Sequence, residues 1–292
     1  MLVKPKHYDK FKCVASACTD TCCAGWEIDV DTDTADLYAS LEGEVGGFVS
    51  EKLICTPDGQ KLCLEGERCR FLREDNLCEL ILRLGEDALC DICREHPRFY
   101  TYFGGITEMG VGLCCPEGAR LWLDEAFELT SEADGEQADG EAVLELERQK
   151  EILGLLADED LSLGEILASL MDDDDSDGLY PELRRLYSSI EVLDEGFPKR
   201  FAEQPVTVTD RRMRRLAAYF VFRYFFELGE ELTIKFTAAS LIMIGAMGGE
   251  LAESCKDYSK EVEYDTDNVD RICAFVSDSL GLAELCRRVL VC

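Results

Sequence analysis

Apolar residues return at helical intervals through most of the second half of the chain. From Ala142 to Leu156, Val143, Leu144, Leu146, Ile152, Leu153, Leu155 and Leu156 sit among Glu, Arg and Lys, the pattern of an amphipathic helix. Leu161 to Met171 and Pro181 to Leu193 read as shorter helices on either side of the acidic run Asp172–Asp175. Thr209 stands where an N-cap belongs, ahead of a long helix from Asp210 to Leu228 whose Leu216, Tyr219, Phe220, Phe222 and Phe226 can face a core. Lys235 to Leu251 is apolar and rich in small residues, so it is expected to be a buried helix packed closely on its neighbours. A last helix is expected from about Val269 to Val289.

The first half is patterned differently. Helical spacing is confined to Thr34–Leu41, Leu77–Leu84 and Pro116–Glu128, all short and set between cysteines. Phe99–Ile106 and Thr107–Leu113, meeting near Gly104-Gly105, read as a small hairpin. The stretch Thr130–Gly140 has no apolar period and is rich in Gly, Asp and Glu, so it reads as a linker. The expected organisation is mainly α: a Cys-rich domain over residues 1–128 with short helices and a small hairpin, an acidic Gly-rich linker over 129–140, and an all-helical domain over 141–292. No internal repeat is evident.

Composition narrows the function. The 292 residues hold 30 basic and 61 acidic side chains, a net charge of −31, which excludes a nucleic-acid surface because phosphate backbones attract the opposite sign. A solvated acidic surface accounts for that charge, and it also suits a cationic partner. No apolar run follows the N-terminal lysines, and Phe236–Gly249 is too short and too polar to span a bilayer, so a cytoplasmic protein without a membrane partner is expected.

The 16 cysteines then require an explanation, since structural disulfides are not expected in a reducing compartment. Twelve lie between Cys13 and Cys115. They fall into Cys13-x4-Cys18-x3-Cys22-Cys23, then Cys55, Cys63, Cys69 and Cys78, then Cys90-x2-Cys93, and finally Cys114-Cys115-Pro116. With only His7 and His96 as imidazoles, any metal here is held mostly by thiolate, which selects zinc or an iron–sulfur cluster. Zinc prefers two separated knuckles, and only Cys90/Cys93 is one. Crowded local sets with a remote ligand, and a Cys-Pro pair, suit an iron–sulfur cluster. Zinc, and cysteines holding no metal, remain the alternatives.

The array Phe11-x-Cys13-x4-Cys18-x3-Cys22-Cys23-x-Gly25-Trp26, Cys69-x-Phe71-Leu72, Cys78, Leu84-Gly85, Cys93-Arg94-x2-Pro97-Arg98 and Cys115-Pro116-Glu117-x2-Arg120 resembles the flagellin lysine-N-methylase family. That family is related to the CxxCxxCC group of zinc- or iron-chelating proteins. The resemblance covers about residues 5–125. It implies Cys13, Cys18, Cys22, Cys23, Cys69, Cys78, Cys93 and Cys115 as metal ligands, enough for two four-cysteine clusters of the 4Fe–4S kind. Cys55, Cys63, Cys90 and Cys114 are then extra. It further implies methyl transfer from S-adenosylmethionine to lysines of a protein partner such as flagellin. Tyr8, Trp26, Arg98 and Glu117, which flank these ligands, become substrate-side candidates. Packing for Tyr8 and Trp26, thiolate neutralisation for Arg98 and a favourable helix start for Glu117 account for them better. The competing reading is a non-catalytic zinc- or iron-binding module fused to a helical interaction domain, with electron transfer a third.

Three further motifs need a reading. Gly245-x2-Gly248-Gly249 lies in an apolar helical pattern and follows no strand, so helix packing explains it better than a dinucleotide loop. Asp29-x-Asp31-x-Asp33 lacks the glycine and glutamate of a calcium loop, because Thr34 and Ser40 stand in their places, and reads as helix-start acids. Arg211, Arg212, Arg214 and Arg215 form the basic cluster of an acidic chain, suited to a cofactor carboxylate or, more simply, to neighbouring Asp and Glu.

Overall fold

The computed structural model describes every residue except 58, 134, 136 and 174–177. The chain is mainly α, 54% helical with 14% strand. It forms two compact units, residues 12–99 and residues 1–11 with 100–292. This division differs from the one cysteine density suggests: Cys114, Cys115 and the helix after them belong with the C-terminal helices.

Unit 12–99 holds more strand than its sequence pattern suggests. Asp29–Val30, Gly59–Leu62 and Leu53–Thr56 form an antiparallel sheet in that order, with Leu53 opposite Leu62 and Asp29 opposite Lys61. Leu64–Glu65 and Arg68–Cys69 pair in a second, two-stranded ribbon. The helices are Thr32–Ser40, Gly43–Ser50, Glu79–Leu84 and Asp91–Glu95. Asp31 explains two of these starts. One carboxylate oxygen accepts the Thr34 N–H at 2.9 Å, capping the first helix, and the other accepts the Asp91 N–H at 2.8 Å. The aspartate triplet is thus a helix start. Ile28, Val30, Tyr38, Val49, Leu62, Phe71, Leu80 and Leu89 make the core, and the sulfurs of Cys69 and Cys90 are buried among them.

The larger unit is built on a helical hairpin. Met213–Leu228 and Glu230–Met247 are joined at Gly229, whose φ of 75° lies in the left-handed region that favours glycine. The second of these helices is buried almost all round, as its composition predicts, but it ends at Gly248, and Leu251–Tyr258 is a separate helix. The expected last helix is likewise two, Thr266–Asp278 and Leu282–Val289, broken at Gly281. Thr209 is not the cap of the first helix, which begins at Met213 after a turn closed by Asp210 accepting the Arg212 N–H. Gly140–Leu156 and Leu163–Ser169 pack on this frame, the latter started by a Ser162/Glu165 capping box. Leu179–Tyr187 completes the helices before the hairpin, and residues 174–175 of the acidic run lie outside the described residues. Each large apolar side chain fully buried here contributes about 1.5–3 kcal/mol.

A four-stranded sheet covers one part of this unit, in the order Arg98–Phe103, Ile106–Val111, Leu2–Pro5, Leu129–Glu132. The hairpin at Gly104-Gly105 is present as expected. Leu129–Glu132 is a strand, not linker, because Leu2–Pro5 supplies its hydrogen-bonding edge, with Leu2 opposite Glu132 and Pro5 opposite Leu129. Pro116–Asp124 follows the sheet and places Trp122 at the centre, its indole N–H on the Val111 carbonyl at 2.7 Å. The His7 and Tyr219 rings meet Trp122 edge-on, with centroids 4.7 and 5.0 Å away. Among the described residues no helix is long and apolar enough to cross a membrane.

Candidate metal centre

The thiols of unit 12–99 are gathered by short elements. Cys23 is tied to the Arg68–Cys69 strand, since the Cys69 N–H donates to the Cys23 carbonyl at 2.8 Å. Cys78 stands at the start of Glu79–Leu84, and Cys90 at that of Asp91–Glu95, whose first turn carries Cys93. Cys69 and Cys90 are buried; Cys23, Cys78 and Cys93 are partly buried against the same core.

These five sulfurs lie near enough to oppose one another's ionisation. Burial is the largest influence raising Cys78 and Cys69, and the Cys90 hydrogen bond the largest raising Cys93. Smaller contributions come from Cys23 and Cys90 on Cys78, Cys23 and Cys78 on Cys69, and Cys23 and Cys69 on Cys93. The pair Cys90/Cys93 shares a hydrogen bond, so Cys90 ionises more readily than usual and its charge holds the proton on Cys93. Burial is the largest influence on Cys69, pushing it up to about 11. The Cys22 side chain is the largest influence on Cys23, which falls to about 7, with Thr21 and the Arg68 charge helping.

Backbone N–H groups work in the other direction. Those of Phe71 and Leu72 face the Cys69 sulfur, those of Leu80 and Ile81 the Cys78 sulfur, and that of Cys93 the Cys90 sulfur. Each comes two or three residues after its cysteine and favours the thiolate. The Ala15 N–H makes the same contact to the exposed Cys13 sulfur at 3.4 Å. The donor set is therefore soft, anionic when ionised and served by N–H groups, which fits a thiolate-bound metal. Among the described residues no three Cys, His, Asp or Glu side chains converge as a ready-made metal site.

The sequence-derived set is distributed as follows. Cys23, Cys69, Cys78 and Cys93 share the cluster, with Cys22 beside Cys23. Cys13 is exposed on the loop around Ala15–Ala17, and Cys18 beyond it donates to the Asp20 carbonyl at 3.1 Å. Cys115 belongs to the larger unit, at the start of Pro116–Asp124. Cys90 enters the cluster although the motif leaves it extra; its Cys-x2-Cys spacing with Cys93 is the signal for it. Cys55 is exposed on its strand, and Cys63 is partly buried and points its thiol at the Leu64 carbonyl.

The substrate-side candidates divide between the units. The Trp26 indole N–H donates to the Cys22 carbonyl at 2.7 Å, and its ring lies 5.9 Å from that of His96. Arg98 donates to the Arg94 carbonyl at 3.4 Å. In the larger unit, Tyr8 packs against Phe11, Val111 and Leu121, and Glu117 pairs with Arg120 at 2.7 Å. The arginine cluster is engaged as well. Arg211 meets Glu159, Arg212 meets Asp210 and Glu250, Arg214 donates to the carbonyls of Leu156, Asp158, Leu161 and Cys292, and Arg215 to that of Leu123. Two of the four thus close backbone carbonyls at or near helix C-termini instead of pairing with acids.

Fold and cysteines describe a mainly helical protein with a thiol-rich insert. The flagellar biosynthetic protein FliU of Salmonella muenchen is 30% identical over 131 residues, which cover 42% of this chain and 78% of that protein. Two proteins named lysine-N-methylase, from Salmonella typhimurium and Salmonella choleraesuis, are also 30% identical over 131 residues, but the match spans only 33% of each. No family model matches, and no solved structure matches. The chain belongs to the family of the flagellar biosynthetic protein FliU.

Proposed function

We propose that this protein is a methyltransferase that moves a methyl group from S-adenosylmethionine to a lysine of a partner protein, with an iron–sulfur cluster held in unit 12–99. The lysine-N-methylase name of two relatives supports the reaction, and the flagellar name of the third supports flagellin as the partner. The observation that carries the cluster is the group of five thiols, three with backbone N–H groups facing the sulfur. Cys23, Cys69, Cys78 and Cys93 would hold it, with Cys90 in place to substitute for or join them. When bound, such a cluster supplies a soft iron core that takes up the thiolate charge and can accept or give an electron.

Methyl transfer asks the protein chiefly for placement. The amine must arrive without its proton and in line with the sulfonium methyl, and holding that geometry supplies much of the rate. A chain of net charge −31 draws in a lysine-bearing partner over a distance of about the Debye length, ~10 Å at moderate salt.

The test is anaerobic purification followed by iron, sulfide and zinc analysis, then methylation of flagellin with labelled S-adenosylmethionine. Matching iron and sulfide, reduced in Cys69→Ser and Cys93→Ser but not in Cys55→Ser, is expected. Stoichiometric zinc without sulfide would overturn the cluster. Absence of label transfer by cluster-replete protein would overturn the reaction.

A further inference from the structure

A groove in the larger unit lies between the start of the helix Leu179–Tyr187 and the end of the helix Thr266–Asp278, and encloses about 570 Å³. Leu179, Phe275 and Leu280 supply its apolar wall, and Glu182 and Asp278 its charges. Leu179 is buried and Phe275 half-buried, while Leu280 is 57% exposed. No lysine, arginine or histidine lines the groove. Among the described residues neither carboxylate has an ion-pair or hydrogen-bond partner.

That sets these two acids apart from others at helix ends, which the chain meets itself. Glu79 pairs with Lys52 and Arg83, Glu117 with Arg120, and Glu250 with Arg212. The lysine at the end of Thr266–Asp278, Lys235, is taken up by the Glu231 carboxylate at 2.9 Å and the Ser277 carbonyl at 3.2 Å. Asp278 is the last residue of its helix, where free carbonyls already carry partial negative charge, so the two add. A lysine side chain answers both the wall and the charge. Its four-carbon stem covers apolar surface while its ammonium stays at the wet, acidic rim. An anionic ligand would be repelled there, and an uncharged one would strip water from the carboxylates without replacing it.

We propose that this groove docks a lysine side chain of a partner protein, with the stem against Phe275 and Leu280 and the ammonium at Glu182 and Asp278. It is a docking contact and holds whether or not the partner is methylated.

Ligand-observed NMR titration of the full-length protein with acetyl-Ala-Lys-Ala-amide, and with its norleucine counterpart that lacks the ammonium, tests this. Saturable binding of the lysine peptide is expected, with the norleucine peptide at least about tenfold weaker. Glu182→Gln/Asp278→Asn should weaken the lysine peptide about tenfold. Glu65→Gln/Glu203→Gln, which removes two exposed acids elsewhere, should weaken it less than about twofold. All four side chains are exposed, and thermal melting checks that both variants fold. Equal weakening in the two variants would mean a diffuse attraction to net charge and would overturn the proposal. So would norleucine binding as strong as lysine, or no saturation by the lysine peptide in the wild-type protein. A dimer in sedimentation that dissociates in Glu182→Gln/Asp278→Asn would give the groove to a second copy of the chain, which also overturns it.

Discussion

Replacing Glu108 with glutamine should stabilise the protein, and increasingly so as pH rises. Glu108 lies on the interior strand Ile106–Val111, opposite Val3, and is 0% exposed. Among the described residues neither of its oxygens has a well-formed hydrogen bond, and the same holds for the facing Gln149 Oε1, whose amide donates to the Phe222 carbonyl at 3.4 Å. Burial raises the Glu108 carboxyl well above the usual carboxylate range, Gln149 lowers it in part, and the Glu227 charge raises it further. The folded protein therefore keeps a proton that the unfolded chain gives up. The resulting stability is fully present below the ordinary glutamate range, around pH 4, and is lost as pH rises towards the folded value. While that difference lasts, the loss is about 1.4 kcal/mol per pH unit. The glutamine in Glu108→Gln would have the same shape, donate as the protonated acid does, and titrate nowhere. Urea unfolding of both proteins, followed by tryptophan fluorescence from pH 4.5 to 8, should give curves that diverge by that slope, with the variant the more stable at neutral pH. His7 acts in the opposite sense. Burial lowers it to about 4, so stability is lost as pH falls below the ordinary histidine value, but this is common to both proteins and cancels in the difference. Parallel curves would refute the account of Glu108.

Asp31→Ala should cost about 2–3 kcal/mol, since it removes a helix cap and a second backbone hydrogen bond to Asp91. The exposed Asp33→Ala should stay within about 0.5 kcal/mol of wild type in the same urea titration. Gly164→Ala would drive a methyl group into the Cys286 and Leu290 carbonyl oxygens and should lower stability by about 1–3 kcal/mol. Gly154→Ala meets nothing and should instead raise the melting temperature slightly.

How much of this was legible in the sequence depended on the distance over which each feature is determined. The helices around Ala142–Leu156 and Met213–Leu228 announce themselves because their own residues carry the period. The breaks at Gly248 and Gly281 were harder, because an apolar pattern continues across them and only a positive φ separates two helices from one. The strand Leu129–Glu132 has no local signal at all, since its partner Leu2–Pro5 lies more than a hundred residues away in the chain. Gly43–Ser50 was hidden by three glycines that argue against a helix, and its burial against the core of unit 12–99 overrides that propensity. For the cysteines, spacing identified thiolate chemistry and paired Cys90 with Cys93 but not which other sulfurs meet, and it was the family motif that left Cys90 aside. The buried Glu263, which accepts the Tyr219 and Tyr224 hydroxyls and pairs with Arg223, was missed entirely. The available hint was Arg223, a cation in an aromatic-rich buried stretch of helix, which demands an acid from elsewhere in the chain.

The place of Leu2–Pro5 inside the sheet has a consequence for biosynthesis. The ribosome delivers this strand well before its two neighbours, since Ile106–Val111 and Leu129–Glu132 emerge only after more than a hundred further residues. Until then the strand has no edge to join, while the whole of unit 12–99 has left the exit tunnel and can condense on its own local contacts. The larger unit must therefore complete its sheet after the insert is already made, and the high sequence separation of that closure marks it as the slow step and the moment of greatest exposure to misassembly.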